Sequence, residues 1–141
     1  LAVSRHATDD ALRDKLVPLN RKYPIRQVLE ACKHYLLGDQ RRRVTFEYVM
    51  LKGANDSKDD AHRLCGLLDD VRAKVNLIPF NPVPGVGWQA SESGALNTFR
   101  DVLLSAGIMT VTRRTRGADI EAACGQLAGQ FKDRTQRRAR L

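Results

Sequence analysis

Two hydrophobic periods take turns along this chain, and that alternation limits the folds open to it more than any other feature. β-Branched and aromatic runs from Val44 to Leu51, Val75 to Phe80 and Ile108 to Thr112 read as strands. Leu1-Ala2-Val3-Ser4 reads as the end of a buried strand. Between these runs, apolar residues recur at helical spacing. Ile25, Val28, Leu29, Cys32 and Leu36 predict a helix over about Arg26 to Leu37, with Gly38 as its stop. Ala61, Leu64, Cys65, Leu68 and Val71 mark a helix that Ser57 opens, with Asp60 three residues on as a weak capping box. Leu96, Phe99, Leu103 and Ala106 mark another, closed by Gly107. A shorter helix is expected after Thr8 as N-cap, with Asp9 and Asp10 in its first turn, and it must stop by Val17 before Pro18.

Strands and helices alternating at about 30-residue intervals are the signature of βα units around a parallel sheet, either an open doubly wound sheet or an arc of a barrel. There is no G-x-G-x-x-G and no Walker motif, so the phosphate-binding versions lose support. A chain of 141 residues makes one domain. We expect it over residues 1–131, followed by a basic tail over 132–141 that reads as solvated and frayed, since Lys132 to Leu141 holds five Lys or Arg and one Asp. A helical pattern from Ala118 is weakened by Gly125 and Gly129. A strand that opens at the first residue, with Leu1 rather than Met, predicts the C-terminal part of something larger.

The net charge of +8 points to a polyanionic partner, most simply nucleic acid. No apolar run approaches the ~20 residues of a membrane span, and the N-terminus lacks a signal-peptide pattern. Three widely spaced cysteines argue against a disulfide framework and for a reducing, cytoplasmic setting.

In parallel α/β folds the working residues sit just beyond the C-terminal ends of the strands. Those positions hold Ser4-Arg5-His6, Lys52 to Asp56, Asn81 with its Pro-rich loop, and Arg113-Arg114-Thr115-Arg116 leading to Cys124. Cys32 and Cys65 fall on apolar helix stripes and read as small buried hydrophobes. Cys124 lies among small residues downstream of three arginines, where positive charge would favour a thiolate. No two cysteines have zinc-ligand spacing. His34 and His62 read as solvent-facing helix residues, leaving His6 at the rim; a thiol hydrolase built on Cys124 would have only His6 as partner. Arg41-Arg42-Arg43 reads as a solvated face, whereas Arg113, Arg114 and Arg116 would surround the same mouth as Cys124. Trp88 could stack on a base or pack.

Five segments carry a resemblance. They are Ser4-x-His6-Ala7 with Asp14-Lys15-Leu16-Val17-Pro18-Leu19-Asn20; Phe46-Glu47-Tyr48-Val49-Met50-Leu51-Lys52-Gly53-x-Asn55-Asp56; Val75 to Gly85; Val111-Thr112-x-Arg114-Thr115-Arg116-Gly117; and Ala122-Ala123-Cys124-Gly125-Gln126-Leu127. In this order they closely resemble the bacterial radical-SAM adenosine C2 methyltransferases of large-subunit rRNA and tRNA. The match runs from Leu1 to about Gly129.

The resemblance implies the C-terminal part of a partial (β/α) barrel of the radical-SAM type, with about four parallel strands alternating with helices. It implies an RNA methyltransferase using S-adenosylmethionine and a 4Fe-4S cluster, with an electron donor for the cluster and no membrane partner. By position, Ser4, Arg5 and His6 match a segment lining the S-adenosylmethionine site, Asn81 matches a further contact, and Cys124 matches the cysteine that carries the methyl group as S-methylcysteine. Two features depart from the pattern. The family has Leu where this chain has Arg5, and the C-x-x-x-C-x-x-C cluster motif and the second, resolving cysteine are not in this chain. The fragment alone is therefore expected to be inactive. The alternative expectation is a non-catalytic, basic RNA-binding remnant of such an enzyme.

Overall fold

The computed structural model describes residues 1–113 except 83 and 86. The strands are β1 (Ala2–Ser4), β2 (Val44–Met50), β3 (Ala73–Pro79) and β4 (Met109–Thr112). The helices are α1 (Asp10–Leu16), α2 (Ile25–Leu36), α3 (Lys58–Leu67) and α4 (Ser93–Ser105), with a short 3₁₀ helix over Pro18–Arg21. All three strand pairings are parallel and the order is β1-β2-β3-β4.

The helices decide between the two architectures that the alternation allowed. Ile25, Leu29 and Cys32 of α2, Ala61 and Leu64 of α3, and Phe99 and Leu103 of α4 share one core with Phe46, Tyr48, Val75 and Leu77. Alternation along a strand sends Phe46 and Tyr48 to one face and Glu47 to the other. Helices α2, α3 and α4 therefore cover a single face, and sequential strand order with these helices on one face is an arc of a barrel, not a doubly wound sheet. The opposite face carries Ser4, Thr45, Glu47, Lys74 and Asn76 in register. Toward the C-terminal ends of the strands a second, smaller cluster closes over Val49, Leu51, Ile78 and Phe80, using Ala7 and Leu16.

Local chemistry explains most of the ends. Ser57 and Asp60 form the full capping box, each side chain bonded to the other's backbone N–H. Gly38 and Gly107 take φ of 82° and 80° just past α2 and α4, a conformation that costs a residue with a Cβ. The first helix is capped by Asp9, whose carboxylate accepts from Leu12 N at 2.8 Å, and not by Thr8. Thr8 is drawn instead to Asp60, donating its hydroxyl to Oδ1 at 3.1 Å. The opening strand is not buried as expected: Ala2 is exposed and Val3 and Ser4 are half-buried, because β1 has a sheet neighbour on one side only. Ala106 is exposed rather than part of the α4 stripe, since it follows the helix as its cap.

Candidate functional site: the corner after the first strand

The C-terminal ends of adjacent strands form one rim. His6 follows β1, Asn55 follows β2, Asn81 follows β3 and Arg113 follows β4. Asn81 and Arg113 are exposed, and the Arg113 N–H continues the ladder to Leu77 O at 2.8 Å. Trp88 is half-buried against the smaller cluster, so its packing role holds. A groove lined by Arg43, Cys65, Asp69 and Gly107 lies at the opposite end of the strands and is no part of this rim.

Ser4, Arg5 and His6, contiguous in sequence, go to three different places. Ser4 faces the sheet surface that α2, α3 and α4 leave uncovered, beside Glu47 of β2. Arg5 still follows the strand, its N–H bonded to Glu47 O at 2.9 Å, and alternation turns its side chain to the helix side with Val3. It is fully buried, and none of its three guanidinium nitrogens has a hydrogen-bond partner. Burial, with the charge of Arg13 second, pushes its pKa down to about 10. The Arg5 side chain sits in the core near Tyr48 and Cys32.

His6 breaks the strand with φ of 52°. Its Nδ1 accepts the Val49 N–H at 3.0 Å, which fixes the neutral tautomer with hydrogen on Nε2. Burial, then Arg13, push its pKa down to about 4. His6 stands at the rim as read, is 3% exposed and holds the corner together.

Sequence reasoning gave no role to the residue that fastens this corner. Asn55 is fully buried, and its Nδ2 donates to His6 O at 2.8 Å and Val49 O at 2.7 Å. Its Oδ1 accepts from Leu51 N at 2.7 Å, and its backbone carbonyl accepts from the Tyr48 hydroxyl at 2.7 Å. The signal available was its place in the Lys52 to Asp56 turn after a strand. Asp60 ties the same loop to α3: burial alone would raise its pKa, but hydrogen bonds from Ser57, Arg63 and Thr8 outweigh burial and hold it low.

Cys32 is buried as expected, whereas Cys65 is half-buried, its thiol 3.9 Å from Val102 O. Burial raises both thiols. His34 and His62 are exposed, as read. Among the described residues, no three His, Cys, Asp or Glu side chains are grouped as a metal site. Cys124, Arg114, Arg116 and the tail lie outside the described residues.

No protein-family profile matches the chain. It is 52% identical over all 141 residues to the dual-specificity RNA methyltransferase RlmN of Alkalilimnicola ehrlichii, and covers 39% of that protein. Its fold superposes on the crystal structure of a radical SAM methyltransferase from Sphaerobacter thermophilus with a TM-score of 0.80 at 48% identity, covering 89% of this chain and 37% of that one. Along its length the chain is similar to radical-SAM methyltransferases. It spans less than half the length of the relatives it matches. A domain of pyruvate-formate lyase-activating enzyme from Bacteroides vulgatus shares the fold alone, with a TM-score of 0.62 at 9% identity. The face that α2, α3 and α4 leave uncovered is the inner surface of this four-stranded arc, the side a closed barrel would enclose. Among the described residues no helix is long and apolar enough to cross a membrane.

Proposed function

We propose that this chain is the carboxy-terminal part of a cytoplasmic enzyme that methylates C2 of adenosine in large-subunit rRNA and tRNA. One observation carries the reading: 52% identity along the whole chain to a dual-specificity RNA methyltransferase. The rim geometry is consistent with it. Ser4 would hold S-adenosylmethionine from the uncovered sheet face and Asn81 from the end of β3. The same face carries Asn76, whose buried Oδ1 has no hydrogen-bond partner. S-adenosylmethionine supplies, when bound, both a transferable methyl group and the source of a carbon radical.

This chain's own contribution to the chemistry is Cys124. Adenine C2 is electrophilic and its C–H is inert, so direct methyl transfer to it fails, and a thiolate that carries the methyl group offers another route. Arg113, Arg114 and Arg116 would favour that thiolate and attract the RNA backbone. The described residues offer no set of thiolates for a 4Fe-4S cluster. The resemblance assigns the cluster's ligands, and the docking of its electron donor, to segments outside this chain. The second reading, a basic RNA-binding remnant, rests on the net charge of +8.

The test joins this chain to the upstream remainder of the Alkalilimnicola relative and assays RNA methylation. We expect methylated adenosine, loss of product in Cys124→Ala, and an added methyl on the Cys124 peptide but not on those of Cys32 or Cys65. Methylation surviving Cys124→Ala would overturn the carrier role, and an inactive chimera that binds RNA would favour the remnant.

A further inference from the structure

The segment Asp14 to Asn20 belongs to the family-like pattern and ends in a buried asparagine. In the fold it ends α1 and enters the 3₁₀ helix. Two of the residues in this region, Arg13 and Asn20, are 4% and 1% exposed. Buried polar side chains of this kind are retained only when their hydrogen bonds are met.

Arg13 meets its bonds on the corner after β1. Its Nε donates to Arg5 O at 3.2 Å and its Nη2 to Ser4 O at 3.0 Å. Consecutive carbonyls of a regular strand point in opposite directions, so one guanidinium takes both only where the strand has turned. The turn is present, at His6 with φ of 52°. The third arm, Nη1, donates to Asn20 Oδ1 at 2.6 Å. Asn20 Nδ2 in turn donates to Asp14 Oδ1 at 2.7 Å and Asp10 Oδ1 at 3.0 Å. Asp10 also accepts from Ile25 N at 3.0 Å, the bond that leads in holding its carboxyl below the usual range. The chain of bonds thus runs from the first turn of α2 through Asp10, Asn20 and Arg13 to the carbonyls of Ser4 and Arg5.

Holding a guanidinium out of water is costly, and apolar packing would stabilise the same volume as well or better. What a planar fork adds is direction, because its donors fix two acceptors in a plane. We propose that Arg13, oriented by Asn20, is a positioning residue for the cofactor-binding corner: it sets the path of Ser4-Arg5-His6 and so the aim of the Ser4 side chain, without touching the ligand. This rests on the reading of that corner as an S-adenosylmethionine contact.

Two measurements test it. In the chain itself, Arg13→Lys keeps the charge and loses the fork, and Asn20→Ala keeps Arg13 and loses its orientation. Amide hydrogen exchange should accelerate by about tenfold or more at Arg5 and Ala7 in either variant, with the β3 amides unchanged. Faster exchange throughout the sheet would show a general stabilising role and overturn the proposal. In the chimera described above, either variant should raise KM for S-adenosylmethionine about tenfold and leave KM for RNA unchanged. Ser4→Ala separates the two ideas. If it raises KM for S-adenosylmethionine while the Arg13 and Asn20 variants do not, the positioning role falls and the cofactor reading stands. If Ser4→Ala leaves that KM unchanged, the cofactor reading falls and the proposal falls with it.

Discussion

Asn55 and His6 stand 49 positions apart in sequence and are joined by a 2.8 Å hydrogen bond, Nδ2 of the amide donating to the histidine carbonyl. The same amide bonds Val49 O and Leu51 N, so one side chain ties the ends of β1 and β2 together.

Removing it leaves three buried backbone groups unmet at once. Asn55→Ala should therefore destabilise the chain by about 3 kcal/mol or more, each buried orphan costing roughly 1–3 kcal/mol. Urea denaturation checks this, with the midpoint expected to fall and the slope to stay constant. A loss below about 1 kcal/mol would mean that water replaces the amide.

His6 makes stability depend on acid. Its pKa falls from 6.5 to about 4 in the folded chain, first through burial and then through Arg13. The folded state therefore keeps His6 neutral while the unfolded state takes up a proton below about pH 6.5. Stability should fall as pH drops from about 6.5 to about 4, by up to ~3 kcal/mol, and level off for this group below that. Thermal melts across pH 4 to 7 report it. His6→Gln, which cannot titrate, should show a flatter profile in that window, whatever its stability at pH 7.

Arg5 is expected to limit stability. Its guanidinium is buried without a hydrogen-bond partner and stands near a second arginine, Arg13. Replacing it with an apolar side chain removes an uncompensated charge and keeps the volume filled. Arg5→Leu should raise stability by about 2 kcal/mol and the melting temperature by roughly 5 °C or more. Because the folded pKa is depressed to about 10, the penalty in the native protein is fully present below that pH and is relieved as pH rises through it. A melting temperature that drops on Arg5→Leu would show that the guanidinium has found a partner in solution.

RNA binding should weaken steeply with salt, as expected for a chain of net charge +8. If the rim faces the RNA, replacing Arg113, Arg114 and Arg116 with Ala should flatten the dependence of log K on log salt more than replacing Arg137, Arg138 and Arg140. Filter binding at several salt concentrations decides between them. Equal flattening would mean that the rim is not the RNA-facing surface.

Much of the fold is legible in the sequence. The alternation of periods 2 and 3.6 located three strands and three helices, because each period reflects burial of one face of one element. The capping box at Ser57 and Asp60 and the positive φ at Gly38 and Gly107 are equally local, set by residues within a turn of one another. Thr8 does not cap because its partner, Asp60, lies 52 positions away, beyond any local signal. Legible too is the family resemblance, which the 52% identity along the whole chain bears out.

The sequence by itself determined the order and type of the elements, their stops, and the polar residues collected at the strand ends. Tertiary structure alone decided which way those residues point. It put α2, α3 and α4 on one face, and so made an arc of a barrel. It sent Arg5 into the core, closed His6 against Val49, and gave Asn55 and Arg13 the task of holding the corner between them. These outcomes depend on the strand's alternation meeting a turn, and on acceptors brought close by parallel pairing between segments some 40 residues apart or more. Local propensity is a property of a few neighbouring residues, whereas the direction of a buried side chain is settled by which distant groups it must satisfy.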